Sequence, residues 1–144
     1  MSEHDLHPCS FVIFGATGHL AATKLLPALY HLEAAGHLPD VTNFIAYARR
    51  DWDDAAWHAY VERTLAERLG AGFDAVVAAR FLRRLSYVRS DLNDVEGYRR
   101  LLAELGKPKT GVCSNIVYYL AIKPAEFASV AQNLAAVGLN RPRG

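Results

Sequence analysis

A short apolar run that ends on a glycine near the start of the chain constrains the fold more than any other feature. Residues 11–14 have the character of a buried β-strand, Gly15 and Gly18 follow, and a helical pattern begins at about Leu20. In a strand–turn–helix unit the first glycine permits a sharp turn, and the second lets the backbone approach a ligand. The amides of the new helix then face an anion. This pattern predicts a nucleotide-phosphate site, although the same glycines would also suit a purely structural turn.

The end of the second predicted strand indicates which dinucleotide is preferred. Residues 43–48 form an apolar strand, and Arg49 and Arg50 follow where an NAD site usually presents an acidic residue to the ribose 2′-hydroxyl. Two guanidinium groups favour a 2′-phosphate, because arginine offers a planar pair of donors to a nearly doubly charged group. The pattern therefore predicts NADP. The alternative is that Asp51 pairs with either arginine in a surface salt bridge.

The composition narrows the class of protein. The chain has 144 residues, is 51% hydrophobic and carries a net charge of +1, which fits one domain and disfavours nucleic acid as a partner. Cys9 and Cys113 lack metal-ligand spacing, and the histidines form no paired zinc motif. No apolar run approaches the roughly 18 residues of a spanning helix, and the first ten residues carry acids and histidines instead of the basic and then apolar pattern of a secretion signal. We expect a cytoplasmic protein without a metal site or a membrane partner.

Short apolar runs alternate with longer helical stretches, which predicts a parallel sheet covered by helices. Gly36 is expected to close the first helix, and Pro27 to break it one turn earlier. The second predicted helix begins after capping residues at 51–54 and ends at Gly70. Three further helices are predicted over about 73–85, 94–105 and 125–137. The later predicted strands cover 86–89 and 115–121. The nearly continuous apolarity of the last strand predicts a central position, buried on both faces.

Two further segments are expected at the carboxyl edge of this sheet, where ligands of open parallel sheets bind. Asp91 and Leu92 follow the third strand and could lie beside an adenine ring, or the segment could instead cap the next helix. Residues 119–124 end the last strand and are expected to line the same crevice as Gly15 and Gly18.

Taken together, these landmarks resemble the N-terminal coenzyme domain of the glucose-6-phosphate dehydrogenase family. The residues that carry the resemblance are Gly15 to Ala21 with Lys24 and Pro27, Tyr47 to Arg49, Tyr118 to Ala121 with Pro124, and Asn140 with Arg141. The resemblance implies a Rossmann-like, doubly wound α/β fold with a mainly parallel sheet and helices on both faces. It implies a tail over residues 1–10 and a dinucleotide-binding domain over 11–144, without its last strand or strands and without the substrate domain.

The resemblance also assigns roles to particular residues. Arg49 would bind the 2′-phosphate, Lys24 would reach toward the substrate, and Tyr119 would lie by the cofactor. The turn that would hold the pyrophosphate consists of Gly15, Ala16, Thr17, Gly18, His19, Leu20 and Ala21. The chain departs from the family pattern at His19, where the family usually has Asp, and at Lys123, where it usually has Pro.

The activity implied by the resemblance is the oxidation of glucose 6-phosphate to 6-phosphogluconolactone with reduction of NADP. We expect this chain to bind NADP but not to turn over the sugar phosphate alone, because the segments with the catalytic base are missing. Helix and sheet surfaces that would dock onto the missing domain would be exposed, and such surfaces favour self-association. The rival interpretations are an atypical short-chain reductase, a redox-sensing regulator and a purely structural domain. Tyr119 and Lys123 have a reductase-like spacing, but on a strand and a loop they would not share a helical face.

Overall fold

A single parallel sheet organises the molecule in the computed structural model, which describes residues 10–38, 42–91, 94–105 and 116–136. The strands are β1 (Ser10–Phe14), β2 (Asn43–Ala48), β3 (Leu85–Arg89) and β4 (Ile116–Leu120). Their order in the described sheet is β3-β2-β1-β4, so the chain runs outward from β1 and then crosses back to its other side. All three strand pairs are parallel. This reversal of strand order lies between β1 and β4, where open α/β sheets form their binding crevice.

The register of the pairs brings the carboxyl ends of the strands to the same level. Phe14 of β1 lies opposite Tyr47 of β2 and Leu120 of β4, and Ala48 lies opposite Arg89 of β3. The loops that follow the strands therefore meet at one edge of the sheet.

Helices cover both faces of the sheet. The α-helices within the described residues are α1 (Leu26–Ala34), α2 (Asp54–Leu69), α3 (Ala75–Leu82), α4 (Val95–Leu105) and α5 (Phe127–Ala136). Because side chains alternate along a strand, Ile13 packs with the core formed by α1, α2 and α3, whereas Val12 and Phe14 pack with α4 and α5. The prediction of a doubly wound α/β fold is confirmed.

The first helix changes its hydrogen bonding before Pro27. Residues Ala21–Leu25 form a π-helical segment, and the Leu26 amide donates to the carbonyl of Ala21, five residues back. Proline has no amide to donate and its ring crowds the preceding turn, so a widened turn resolves the conflict. The irregularity predicted one turn before Pro27 is present as this change in hydrogen bonding, but the backbone stays helical through it and the helix is not broken. Gly36 follows the helix with φ +73°, the left-handed conformation expected of a closing glycine.

The bounds predicted for the third helix were wrong at both ends. Its first residue is Ala75, because the Asp74 carboxylate accepts hydrogen bonds from the amides of Val76 (2.8 Å) and Val77 (3.4 Å) and so caps the helix there. The helix ends at Leu82, and Leu85 is already the first residue of β3.

The burial predicted for β4 was also wrong. Within the described residues β4 is an edge strand, and Val117 and Tyr119 are 37% and 38% exposed. Their side chains share the sheet face of Phe11 and Ile13, whereas Tyr118 and Leu120 pack with α4 and α5 on the other face. The apolar sequence of β4 therefore does not mean that both faces of this strand are buried among the described residues.

At the amino end of the sheet, a buried ion pair joins α1 to the start of β3. Arg84 donates from Nε to Glu33 Oε1 at 2.6 Å and from a terminal nitrogen to the carbonyl of Thr42 at 2.9 Å. This multiple pairing satisfies a charge that would be costly to bury alone.

Several residues named in the sequence analysis lie outside the described residues, namely Leu92, Cys9, Cys113, and Asn140 with Arg141. Among the helices that the structure describes, none is both long and apolar enough to cross a bilayer.

Candidate functional site

A cleft of about 790 Å³ opens at the carboxyl edge of the sheet, where the strand order reverses. Four chain segments line it: the turn after β1, the loop after β2, the end of β3 and the segment after β4. The turn after β1, Gly15 to His19, is called the phosphate turn below. The loop after β2, Arg49 to Asp53, is called the arginine loop.

Gly15 is required by its backbone angle and by its surroundings. It has φ +77°, and its amide donates to the carbonyl of Tyr47 at 3.1 Å. A Cβ at this position would lie 2.3 Å from the carbonyl oxygen of Ala121 and 2.9 Å from Ile122 Cγ2. The sharp turn predicted at Gly15 is confirmed, and the structure adds that the segment after β4 packs directly against it.

Gly18 has a different reason to lack a side chain. Its backbone angles are ordinary, and an added Cβ would approach only the Gly15 carbonyl, at 3.2 Å, while the residue faces the cleft. The first helical bond runs from the Ala22 amide to the Gly18 carbonyl. The amides of His19, Leu20 and Ala21 therefore have no partner within the helix, which is the arrangement that binds an anion.

The residues of the predicted pyrophosphate turn divide into two groups. Thr17, His19 and Leu20 line the cleft beside the two glycines. Ala16 and Ala21 are fully buried and do not line it. Their small side chains pack in the core beneath the turn, so they support its position from below.

Arg49 lies on the cleft with an exposed side chain and forms no hydrogen bond or ion pair with any residue that the structure describes. Asp51 does not pair with Arg49 or Arg50, as the alternative supposed; its carboxylate lies 3.5 Å from Arg89 Nε. That interpretation was wrong because β3 brings a third arginine beside the loop, which sequence spacing could not show. The guanidinium of Arg50 lies over the ring of Trp52, 5.2 Å from its centroid.

The end of β3 contributes Ser90 and Asp91 to the cleft. Asp91 is exposed, and its carbonyl accepts a hydrogen bond of 3.4 Å from the hydroxyl of Tyr47. Burial raises the pKa of Tyr47 to about 12, so its hydroxyl remains a donor at neutral pH. Among the described residues, Asp94 rather than Asp91 caps the next helix, because its carboxylate accepts from the Glu96 amide at 3.0 Å.

Sequence reasoning missed that α4 approaches this strand end very closely. A Cβ at Gly97 would lie 1.8 Å from Ser90 Oγ and 2.4 Å from the Tyr47 hydroxyl. A glycine inside a helix costs about 1 kcal/mol relative to alanine, which is the one signal in the sequence that a close approach was required here.

The segment after β4 only partly matches its prediction. Ala121, Ile122 and Lys123 line the cleft, together with Glu126, whereas Tyr119 and Pro124 are not among the lining residues. The Lys123 amide donates to the Glu126 carboxylate at 3.3 Å. Because Tyr119 lies on β4 and Lys123 on the segment after it, the two do not share a helical face as the tyrosine–lysine pair of a short-chain reductase does.

Lys24, to which the resemblance assigned a substrate-side role, is exposed on the π-helical segment and does not line the cleft.

Comparison with known proteins identifies relatives along nearly the whole chain. The family described as "Glucose-6-phosphate dehydrogenase, NAD binding domain" matches residues 12–144. The glucose-6-phosphate 1-dehydrogenase of Mycolicibacterium smegmatis is 42% identical over 134 residues, which is 92% of this chain and 27% of the relative. That of Dickeya dadantii is 35% identical over 133 residues, again 92% of this chain and 26% of the relative.

Solved structures give the same result. A crystal structure of glucose-6-phosphate 1-dehydrogenase from Mycobacterium avium superposes with a TM-score of 0.81 at 33% identity, over 92% of this chain and 28% of that one. A glucose-6-phosphate dehydrogenase in complex with glucose 6-phosphate gives a TM-score of 0.70 at 29% identity, over 89% of this chain and 27% of that one. The chain thus spans about a quarter of the length of the relatives that it matches.

Proposed function

Because the chain belongs to the glucose-6-phosphate dehydrogenase family and corresponds to its nicotinamide-dinucleotide-binding domain, we propose that it forms the NADP-binding part of an enzyme that oxidises glucose 6-phosphate to 6-phosphogluconolactone. NADP supplies the hydride acceptor of this reaction. The sugar phosphate would be held mainly by the remaining three quarters of such an enzyme.

The observation that carries the choice of NADP is the guanidinium of Arg49 on the cleft, which forms no hydrogen bond or ion pair with a residue that the structure describes. An NAD site usually offers a carboxylate at this position, which would repel a 2′-phosphate. Arg49 presents instead a planar set of donors that matches a phosphate group. Asp51 lies beside Arg89 and so does not neutralise Arg49, and Arg50, which also lines the cleft, lies over the Trp52 ring with its N–H donors still available to the same phosphate.

The rest of the cleft is consistent with a dinucleotide whose 2′-phosphate lies at Arg49. The unbonded amides at the start of the first helix, together with the absence of a side chain at Gly18, suit the pyrophosphate. Asp91, at the end of β3, lies on the adenosine side of this arrangement. The segment from Ala121 to Lys123 borders the phosphate turn on its other side, where the nicotinamide would extend. The chain's own residues would therefore bind and orient the coenzyme.

Replacing Arg49 by alanine tests this proposal. We expect Arg49→Ala to weaken NADP binding by roughly ten- to a hundredfold, as for a lost charge-assisted hydrogen-bonding pair, and to change NAD binding by less than about threefold. Isothermal titration calorimetry with both dinucleotides measures the two affinities.

The matched control for this experiment is Arg68→Ala, which removes an exposed arginine on α2 that does not line the cleft. It should leave both affinities unchanged. If Arg49→Ala retained the parent's NADP affinity and its margin over NAD, the assignment of Arg49 to the 2′-phosphate would be refuted.

A further inference from the structure

The arginine loop is held on both sides of Arg49 by residues of a single neighbouring strand end. Before Arg49, the carbonyl of Ala48 accepts a hydrogen bond of 2.8 Å from the amide of Ser90. After it, the carbonyl of Arg50 accepts one of 2.8 Å from the hydroxyl of Tyr87. The first contact is made by backbone and belongs to the sheet, whereas the second is made by a side chain that a point mutation can remove.

Tyr87 is itself firmly placed. Its amide donates to Asp54 Oδ1 at 2.8 Å, which ties it to the first turn of α2. Its ring centroid lies 5.7 Å from that of Trp57 and 6.1 Å from that of Trp52. Burial raises the pKa of Tyr87, so its hydroxyl keeps its proton and donates throughout the neutral range.

Contacts within the arginine loop connect Tyr87 to the part of the loop that lies on the cleft. The Arg50 carbonyl also accepts from the Trp52 amide at 2.8 Å, which closes a tight turn, and the Arg50 guanidinium lies over the Trp52 ring. Trp52 in turn packs on Tyr60, with centroids 5.0 Å apart. Tyr87 does not line the cleft, so any effect on a ligand there must pass through the loop.

We propose that Tyr87 is a positioning residue that sets the preference for NADP over NAD by fixing the carbonyl of Arg50 and thereby the placement of Arg49. This inference rests on the proposed function, in which Arg49 binds the 2′-phosphate. Arginine–phosphate pairing depends on geometry, because the two donors must meet two oxygens together. Removing the hydrogen bond from Tyr87 to the Arg50 carbonyl therefore weakens the contact between Arg49 and the 2′-phosphate, which only NADP makes. The contacts that NADP and NAD have in common remain.

The test compares Tyr87→Phe with Tyr60→Phe by calorimetry with NADP and NAD. Tyr87→Phe keeps the ring and removes only the hydroxyl, and we expect a three- to tenfold loss of NADP affinity, about the effect of one lost hydrogen bond, with NAD affinity unchanged within twofold. Tyr60→Phe removes a hydroxyl from the same aromatic cluster that bonds to no described residue, and should change neither affinity. Circular dichroism confirms that both variants are folded.

The parent protein and Arg49→Ala, measured in parallel, separate the two proposals. A parent without a preference for NADP overturns the proposed function and this inference together. A parent preference that Arg49→Ala abolishes and Tyr87→Phe preserves overturns the inference alone. Equal losses of NADP and NAD affinity in Tyr87→Phe also overturn it, because they would show a general structural role. A selective loss of NADP affinity in Tyr87→Phe supports it.

Discussion

The phosphate turn and the arginine loop lie side by side on one cleft but are built in different ways. The phosphate turn is shaped by main-chain contacts: the Gly15 amide donates to Tyr47, the Gly18 amide donates to Gly15, and the backbone after β4 fills the space beside Gly15. The arginine loop is held largely by side chains, with Tyr87 on its carbonyl and the ring of Trp52 under its second arginine.

This difference corresponds to what each loop would recognise under the proposed function. The pyrophosphate is common to all nicotinamide dinucleotides, and a backbone cradle binds it without depending on side-chain identity. The 2′-phosphate distinguishes NADP from NAD, and under this proposal it would meet a loop whose side chains can be replaced one at a time. Changes in the phosphate turn should therefore damage fold and binding together, whereas changes in the arginine loop should alter selectivity at a smaller cost in stability.

The largest effect is expected for Gly15→Ala. The new methyl group would lie 2.3 Å from the Ala121 carbonyl at a backbone angle unsuited to alanine, and we expect a loss of about 3 kcal/mol in the free energy of unfolding. Urea denaturation measures this loss. NADP and NAD affinities should fall together, because under the proposed function both ligands would use this turn.

Gly36→Ala is the matched control for that substitution. Gly36 has nearly the same angle, φ +73°, but nothing lies within 4 Å of its missing Cβ, so only the conformational cost of about 1 kcal/mol remains. Equal losses in the two variants would show that the close packing against Ala121 contributes nothing.

An intermediate effect is expected for Asp54→Ala, which removes the acceptor of the Tyr87 amide. A backbone donor left without its partner should lower the free energy of unfolding by about 1.5 kcal/mol. Asp54→Asn retains an accepting oxygen and should recover most of that loss in the same denaturation experiment. If the asparagine variant were as unstable as the alanine variant, the carboxylate would act through its charge at the start of α2 and not as an anchor of Tyr87.

The smallest effect is expected for Asp51→Asn. The pair between Asp51 and Arg89 is exposed, so its removal should change the free energy of unfolding by less than about 1 kcal/mol. Loss of a negative charge beside Arg49 should raise NADP affinity slightly at low salt, and this gain should disappear as salt increases. Glu67→Gln, on an exposed part of α2 outside the cleft lining, is the control. A fall in NADP affinity would instead mean that Asp51 helps to hold the arginine loop.

Much of the fold was predictable because its signals are local. The limits of β2, the closing role of Gly36 and the irregular turn before Pro27 each depend on residues within a few positions of one another, and the structure confirms them. The third helix was less predictable, since its start depends on one capping aspartate and its end on a strand that pairs with β2. The burial of β4 depends on what covers it, which its own apolar sequence does not encode.

The sequence by itself determined that the chain turns sharply after β1 and that a helix begins just beyond that turn, because the conformation of Gly15 and the first turn of this helix depend on neighbouring residues. Only the tertiary structure decided that Asp51 pairs with Arg89, that Gly15 must accommodate the backbone of Ala121, and that Tyr87 reaches the Arg50 carbonyl. The same holds for the buried pair of Glu33 and Arg84 at the opposite end of the sheet. These contacts join residues that lie tens of positions apart, and strand order and register bring them together.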